Sequence, residues 1–577
     1  MSQDRINHEP WPARALLLLV LGAAFGIAFD KLLRSGEYSW SWTSDPSRIS
    51  AAWFVAVGGL SFAFTIVRIR WWWAILFAIG CGLVAAGITY WNDEPDGWRI
   101  ASLLLALIIA APLFQVARDE GRWRIAQQPL HAHVWSNLIL WFAAWLFVLI
   151  VFLLALLLGQ LFALTGLHFL EKLLNRSWFE WGLGGGALGA GIGLLRDRDQ
   201  VLGVLQKVAT VVLSFLTPVI AVGLGFFLLV LPFTGLEPLW KTSETTPILL
   251  SCALVAFVFA NATIGNSAEE EPRNKVLRTG ALVLAVVVVP LALIAVVSIG
   301  LRIGQHGFTP DRLWAVTCVS VALIYGLLYW LALARGRSAW PERVRATNVW
   351  LALGVCGIAA VLATPLVNFG AISTHDQVAR LTSGRISPDQ FDWRDLAFEF
   401  GPSGRKAAEQ LKQSGATPAI RTAAADALSY KSRWEAPSPG EQAQRRERVA
   451  QARVLPKPVA LPPELTKALE TEPRCTGASP CTIYYEAGAD IAVVVIQPAC
   501  VDPNVGAVTR CSTETTPLYR RGNQWLRRYE LPDGAAEPNR QAASQVRQGW
   551  AKGAVEVRPV TRRQVFIGGE PVGQAFE

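Results

Sequence analysis

The residues with the clearest chemical potential lie in a short polar stretch, residues 305–312, between two long apolar runs. His306 could bind a ligand or relay protons, because an imidazole titrates near neutral pH. Asp311 and Arg312 would complete a polar cluster with it. In a structural alternative, Thr309 caps the helix that follows, and Asp311 complements the positive end of the helix dipole. Both interpretations stay open at the level of sequence.

Four cysteines form a second candidate group in the polar C-terminal part of the chain: Cys475, Cys481, Cys500 and Cys511. Four cysteines allow three pairings. We favour Cys475–Cys481 and Cys500–Cys511, because each pair closes a short loop that contains Pro or Gly. The alternative is a zinc site, which prefers the tighter Cys-x-x-Cys spacing that this chain lacks. Disulfides would indicate an oxidising compartment.

Motifs for known chemistry are absent from the sequence. The chain has no Gly-x-Ser-x-Gly, His-Glu-x-x-His or P-loop pattern. Gly184, Gly186 and Gly189 match a dinucleotide fingerprint in form, but they lie in an apolar run with no strand before it. The sequence therefore predicts no catalytic residue, no cofactor and no metal. Its net charge of +9 comes without a nucleic-acid-binding module, so we expect no nucleic-acid partner.

The elements that must position these residues are long apolar runs. Apolar residues make up 52% of the chain and charged residues 17%. A helix of about twenty apolar residues crosses a bilayer. Such runs start near positions 14, 51, 71, 99, 136, 178, 208, 246, 279, 312 and 348. Many of the tryptophans lie near run ends, as is typical of membrane interfaces. The predicted fold is mainly α: a polytopic transmembrane bundle of about eleven spans.

The sixth run, residues 178–195, is glycine-rich and only moderately apolar. Gly185, Gly189 and Gly193 recur at every fourth position and therefore share one helix face. Small residues on one face allow a neighbouring helix to approach closely. We interpret these glycines as helix-packing residues, and whether the segment crosses the whole membrane stays open.

The distribution of basic residues predicts the orientation. Lys and Arg in the loops on the side of the N-terminus outnumber those on the other side by about two to one. This pattern places the N-terminus in the cytoplasm. An odd number of spans then places the C-terminal part outside.

The soluble part divides by composition. We predict a transmembrane bundle over residues 1–370, an extramembrane helical segment over 371–453, a Pro-rich linker over 454–474 and a small β-rich domain over 475–577. Alternating residues on both sides of Gly522 predict a hairpin in the last domain.

Three phrases resemble a bacterial family of multi-span membrane proteins called DUF4153: residues 231–236 (LPFTGL), 305–312 (QHGFTPDR) and 378–385 (VARLTSGR). The resemblance covers roughly the first four hundred residues. It implies a bacterial inner-membrane location, so that the outer side is the periplasm, and it supplies no catalytic residue.

We therefore expect a non-enzymatic protein, embedded in the lipid bilayer, that presents a periplasmic domain to a periplasmic protein or envelope ligand. The alternative is a transporter of an uncharged or lipid-like substrate. A third hypothesis is an envelope enzyme that uses the His306 region.

Overall fold

The computed structural model describes residues 11, 13–34, 45–68, 70–91, 97–121, 125–240, 244–470, 481–496, 499–500, 511–512, 515–522, 524–527, 563–567 and 570–576. The chain forms two compact units. The first comprises Met1–Arg380 with Glu399–Gly404, and the second comprises Leu381–Phe398 with Arg405–Glu577. Residues 371–380, predicted to belong to the extramembrane segment, thus pack with the first unit.

Helices make up the first unit. Their bounds are α1 Ala13–Leu33, α2 Pro46–Thr65, α3 Trp71–Tyr90, α4 Gly97–Glu120, α5 Gln127–Leu164, α6 Phe169–Leu174, α7 Ser177–Arg196, α8 Asp199–Thr234, α9 Glu237–Trp240, α10 Thr245–Ile264, α11 Lys275–His306, α12 Pro310–Gly336, α13 Trp340–Ala363 and α14 Phe369–Thr382. In the described part of the chain, ten of them are long and apolar enough to cross a membrane: α1 to α5, α8 and α10 to α13.

The outer surface of these helices is apolar. Phe215 and Phe233 on α8 are 77% and 89% exposed, and Leu154 on α5 is 53% exposed. Contiguous apolar surface of this kind is unfavourable in water but is solvated by lipid tails. Length and surface together are consistent with a multi-pass membrane protein.

Helix α7 occupies the sixth predicted run but is not among the ten, because its glycines lower its hydropathy. It lies antiparallel to α1 along nearly its whole length. At one end Gly193 contacts Ala15, and at the other Ser177 donates a hydrogen bond to Asp30 at 3.2 Å. Helix α7 therefore extends about as far through the unit as α1 does.

Two cations stabilise the C-terminal end of α2, where free carbonyl groups carry the negative end of the helix dipole. Arg196 donates a hydrogen bond to the carbonyl of Phe64, and Arg118, only 2% exposed, donates to that of Thr65. Both arginines belong to the set that the charge distribution assigns to the cytoplasmic side.

The second unit contains three more α-helices, a sheet and two short strand pairs, and α15 starts at its boundary. The bounds are α15 Gly401–Ser414, α16 Pro418–Ser429, α17 Pro439–Ala450, α18 Pro463–Glu470, β1 Arg453–Leu455, β2 Cys481–Tyr485, β3 Ile491–Ile496, β4 Ala499–Cys500, β5 Cys511–Ser512, β6 Thr515–Arg521, β7 Gln524–Arg527, β8 Arg563–Ile567 and β9 Glu570–Phe576. The sheet order is β1-β2-β3-β6-β7, with β1 parallel to β2 and the other pairs antiparallel. Strands β6 and β7 form the predicted hairpin, with Gly522 in the turn at φ +60°.

Part of the predicted Pro-rich linker, residues 454–474, has regular structure: Val454 and Leu455 belong to β1, and Pro463–Glu470 form α18. Leu465 and Leu469 of α18 are buried in its core beside Ile483 of β2. Pro463 occupies the first position of α18, where proline lacks only an N–H that would have no partner in the helix.

The start of α17 illustrates local stabilisation in this unit. Ser438 and Glu441 form a reciprocal capping box, in which each side chain accepts a hydrogen bond from the backbone N–H of the other residue. The backbone N–H of Ser438 lowers the pKa of the Glu441 carboxyl below its usual range. Glu441 is therefore a capping residue.

Candidate functional site

The predicted polar cluster lies in the loop between α11 and α12. Thr309 caps α12 and accepts a hydrogen bond from the backbone N–H of Arg312 at 3.4 Å. Asp311 accepts one from the indole N–H of Trp98 at 2.8 Å. Arg312 donates to the carbonyl of Gly307 at 2.8 Å. These contacts hold the loop and the adjoining ends of α4 and α12 together.

Side chains of helix α14 bind the backbone of the same loop. Asp376 accepts a hydrogen bond from the N–H of Phe308 at 2.8 Å. Gln377 donates to the carbonyls of His306 and Phe308 at 2.8 and 2.9 Å, and Arg380 donates to that of Gln305 at 2.7 Å. A Cβ at position 307 would lie 2.5 Å from the Asp376 carboxylate, so the close approach of α14 depends on Gly307, whose φ is +75°.

His306, Thr309, Asp311 and Arg312 are thus close together, but the contacts described for them attach the loop to the neighbouring helices. His306 is exposed, and the hydrogen bonds described for it use its carbonyl oxygen, not its ring. Among the described residues, no Ser or Cys nucleophile hydrogen-bonds to this histidine. The geometry indicates a joint between four helices, α4, α11, α12 and α14.

The four soluble-domain cysteines are only partly described. Cys475 lies outside the described residues, and Cys481 lies on β2. Cys500 and Cys511 are directly opposite each other in the β4–β5 register. Opposed Cα atoms in an antiparallel pair are about 4.5–5.5 Å apart, within the range that a disulfide spans. The backbone register is therefore compatible with a Cys500–Cys511 bond, which stays a prediction.

The predicted packing glycines all face α1. A Cβ on Gly185 would collide with the carbonyl oxygen of Gly22, and one on Gly189 with that of Leu18; one on Gly193 would lie 2.6 Å from Cα of Ala15. The two helices therefore approach at backbone contact distance, which only glycine permits. Gly22 and Gly26 of α1 and Gly185 and Gly189 of α7 also line the space beside this contact.

A cavity lies beside this contact. It lies between α1, α2, α5 and α7 and has a volume of about 750 Å³, a size typical of ligand pockets. Its walls combine aromatic side chains, among them Phe25, Phe152 and Trp181, with aliphatic side chains and glycines. From Glu180 to Ile192 along α7 it extends about 18 Å at 1.5 Å per residue. Its shape is long and its walls are apolar.

Two charged residues lie at one end of the cavity. Arg34 follows α1, and Glu180 lies in the first turn of α7; the antiparallel arrangement brings them to the same end. Arg34 Nε is 2.9 Å from the carboxylate of Asp30, whose side chain is only 3% exposed. Every other lining residue in the described part is uncharged.

Sequence reasoning missed this cavity, although a signal was present. The first apolar run carries Gly22 and Gly26 four residues apart, the spacing of the predicted packing glycines, and Phe25 and Phe29 lie beside them. Two runs with matching glycine spacing predict a close pair. They do not say which helices enclose the space beside it.

Comparisons with known proteins add no relative. No protein-family model matches the chain, and neither the curated proteins nor the solved structures contain a match. Within the described residues, no group of three or more His, Cys, Asp or Glu side chains could hold a metal ion. The apolar cavity with two charged residues at one end is the feature of the first unit from which we argue a function.

Proposed function

We propose that this chain is a multi-pass protein of a bacterial inner membrane that binds a lipid, whose acyl chain occupies the cavity between α1, α2, α5 and α7. The observation that carries the proposal is the cavity itself, about 750 Å³ in volume and lined by apolar residues over most of its length. The bacterial inner membrane follows from the resemblance to DUF4153 and is proposed with it.

A lipid is the ligand that such a site can reach. Inside a bilayer, water exclusion does not drive an apolar ligand into a pocket, because the surrounding tails are equally apolar. Binding must rest on shape, dispersion contacts and a polar group at the end. A lipid already lies in the same layer and carries a chain and a headgroup in the order that the cavity requires.

Eleven crossings are part of the same proposal. The ten apolar helices and α7, which runs antiparallel beside α1, give an odd number. An odd number of crossings would put the second unit on the side opposite the N-terminus, which we propose is the periplasm. We propose that this unit is an interaction domain for a periplasmic protein or envelope ligand, closed by the predicted disulfides.

The lipid proposal is tested by filling the cavity. Gly184 lines it, and a Cβ there would lie 3.5 Å from the Phe152 ring, an ordinary contact. Gly184→Leu should therefore occupy the space without separating α1 from α7. Native mass spectrometry of the protein released from nanodiscs should show a retained lipid in the wild type and its loss in the variant.

Gly223→Leu is the matched control, because Gly223 on α8 is exposed and has nothing within 4 Å of an added Cβ. It should retain lipid as the wild type does. Equal retention by the wild type and Gly184→Leu would overturn the proposal.

Topology is tested separately with alkaline phosphatase fused to the C-terminal end, since the enzyme is active only outside the cytoplasm. Activity supports eleven crossings, and a silent fusion that is present at normal abundance contradicts them. Thiol labelling of the cysteines with and without reductant tests the disulfides. Equal labelling would remove them from the proposal.

A further inference from the structure

We infer that the cavity selects a phospholipid whose headgroup carries both a phosphate and a primary ammonium. The inference rests on the proposed lipid-binding function. It starts from the two charged lining residues, Arg34 and Glu180, which have opposite signs and share one end of the cavity.

Arg34 provides the phosphate contact. Its side chain is 28% exposed, so a headgroup can reach it, and it forms an ion pair with Asp30, with Nε 2.9 Å from the carboxylate. Asp30 is in turn held by the hydroxyl of Ser177 at 3.2 Å. A guanidinium fixed in this way presents planar donors that match phosphate oxygens.

Glu180 provides the ammonium contact. It is exposed at the cavity end and makes no ion pair with any described residue. Glu180 lies in the first turn of α7, at the positive end of the helix dipole. A carboxylate accepts hydrogen bonds from a primary ammonium, whereas a quaternary ammonium has none to donate.

The depth of the two residues suits a headgroup. They lie where α1 ends and α7 begins, and Trp178 and Trp181 flank Glu180 in the same turn. Tryptophan favours the boundary between hydrocarbon and headgroups. A purely anionic headgroup would meet Arg34 but would be repelled by Glu180, so the pair discriminates by sign as well as by hydrogen bonding.

Nanodiscs with equal amounts of phosphatidylethanolamine, phosphatidylglycerol and phosphatidylcholine, all with the same acyl chains, provide the test. Native mass spectrometry should show phosphatidylethanolamine retained over each of the others by about tenfold, the effect of one charge-assisted hydrogen bond. Glu180→Gln should remove most of its advantage over phosphatidylcholine. Glu171→Gln, an exposed acid on α6 outside the cavity lining, is the matched control and should keep the preference.

The outcomes separate the two proposals. Retention of all three lipids in equal amounts, or a preference for phosphatidylglycerol, overturns the headgroup inference and leaves lipid binding intact. A preference that Glu180→Gln leaves unchanged also overturns the inference. Failure to retain any lipid, with the protein folded, overturns the proposed function and the inference with it.

Discussion

Two groups of helices in the first unit differ in how the space between them is filled. The cavity half consists of α1, α2, α5 and α7, and the packed half consists of α8, α10, α11 and α12. In the packed half, α11 buries Leu284, Val288, Leu291, Ala295 and Ile299 at helical spacing, and side chains of the other three helices fill the gaps between them. In the cavity half, glycines bring α1 and α7 together and leave the adjacent volume empty.

The difference shows what glycine does inside a membrane. Removing side chains from one face brings two backbones together, but it also removes the atoms that would fill the space toward a third helix. The ends of the two halves differ as well. The packed half is closed by the loop between α11 and α12 and by α14, whereas the cavity half ends in Arg34 and Glu180. We therefore expect the two halves to respond differently to the same substitutions.

The largest expected effect is in the packed half. Leu291 is fully buried, so Leu291→Ala should leave a hole and lower the free energy of unfolding by about 2–5 kcal/mol. Leu188→Ala in the cavity half is the matched change, and it should cost less than about 2 kcal/mol, because Leu188 already borders open space. Unfolding by SDS titration in mixed micelles measures both. Equal losses would break the comparison.

Adjacent glycines give the second test. Gly185→Ala places a Cβ against the carbonyl of Gly22, so α1 and α7 must separate, at a cost of about 1–3 kcal/mol. Gly184→Ala meets only the Phe152 ring at 3.5 Å, and alanine favours the helix by about 0.5–1 kcal/mol. It should be neutral or stabilising. The midpoint of thermal unfolding of the two variants checks this difference. A similar decrease in both midpoints would contradict the conclusion that Gly185 faces α1 and Gly184 does not.

Local properties of the sequence predicted most of the first unit. Run length predicted the long helices. The spacing of Gly185, Gly189 and Gly193 predicted that these glycines share one helix face. Both signals depend only on residues within one helix. The cavity could not be predicted in this way. Its walls on α2 and α5 are set by the packing of helices distant in sequence, which no local pattern encodes.

The polar loop illustrates the same limit. The sequence indicated Thr309 as a cap, since Pro and Asp follow it as they do at many helix starts. The partner of the loop was not foreseen, because Asp376 binds Phe308 from 68 residues away. The pattern of polar residues in one loop therefore does not distinguish a catalytic role from a role in attaching helices to each other.

Loss of the α12 cap should have a moderate effect. Thr309→Ala removes the acceptor for the N–H of Arg312 and should lower the free energy of unfolding by about 1 kcal/mol. Thr309→Ser keeps an acceptor and should restore most of it. His306→Ala should stay within about 0.5 kcal/mol, because the ring is exposed. A larger loss at His306 than at Thr309 would reopen a functional role for the imidazole.

The smallest expected effect concerns a polar contact inside the packed half. The hydroxyl of Thr246 on α10 donates to that of Ser298 on α11 at 3.0 Å, and both residues are buried. Ser298→Ala should lower the free energy of unfolding by about 0.6 kcal/mol, and by no more than about 1.7, because hydrogen bonds between membrane helices are weak on average. Ser320→Ala is the control: its exposed hydroxyl bonds only to the Val316 carbonyl of its own helix, so the change should be near zero. In the packed half we expect the buried apolar side chains to supply most of the stability. A loss of unfolding free energy for Ser298→Ala as large as that for Leu291→Ala would contradict this expectation. The packed half would then depend on its polar contact rather than on its filled core.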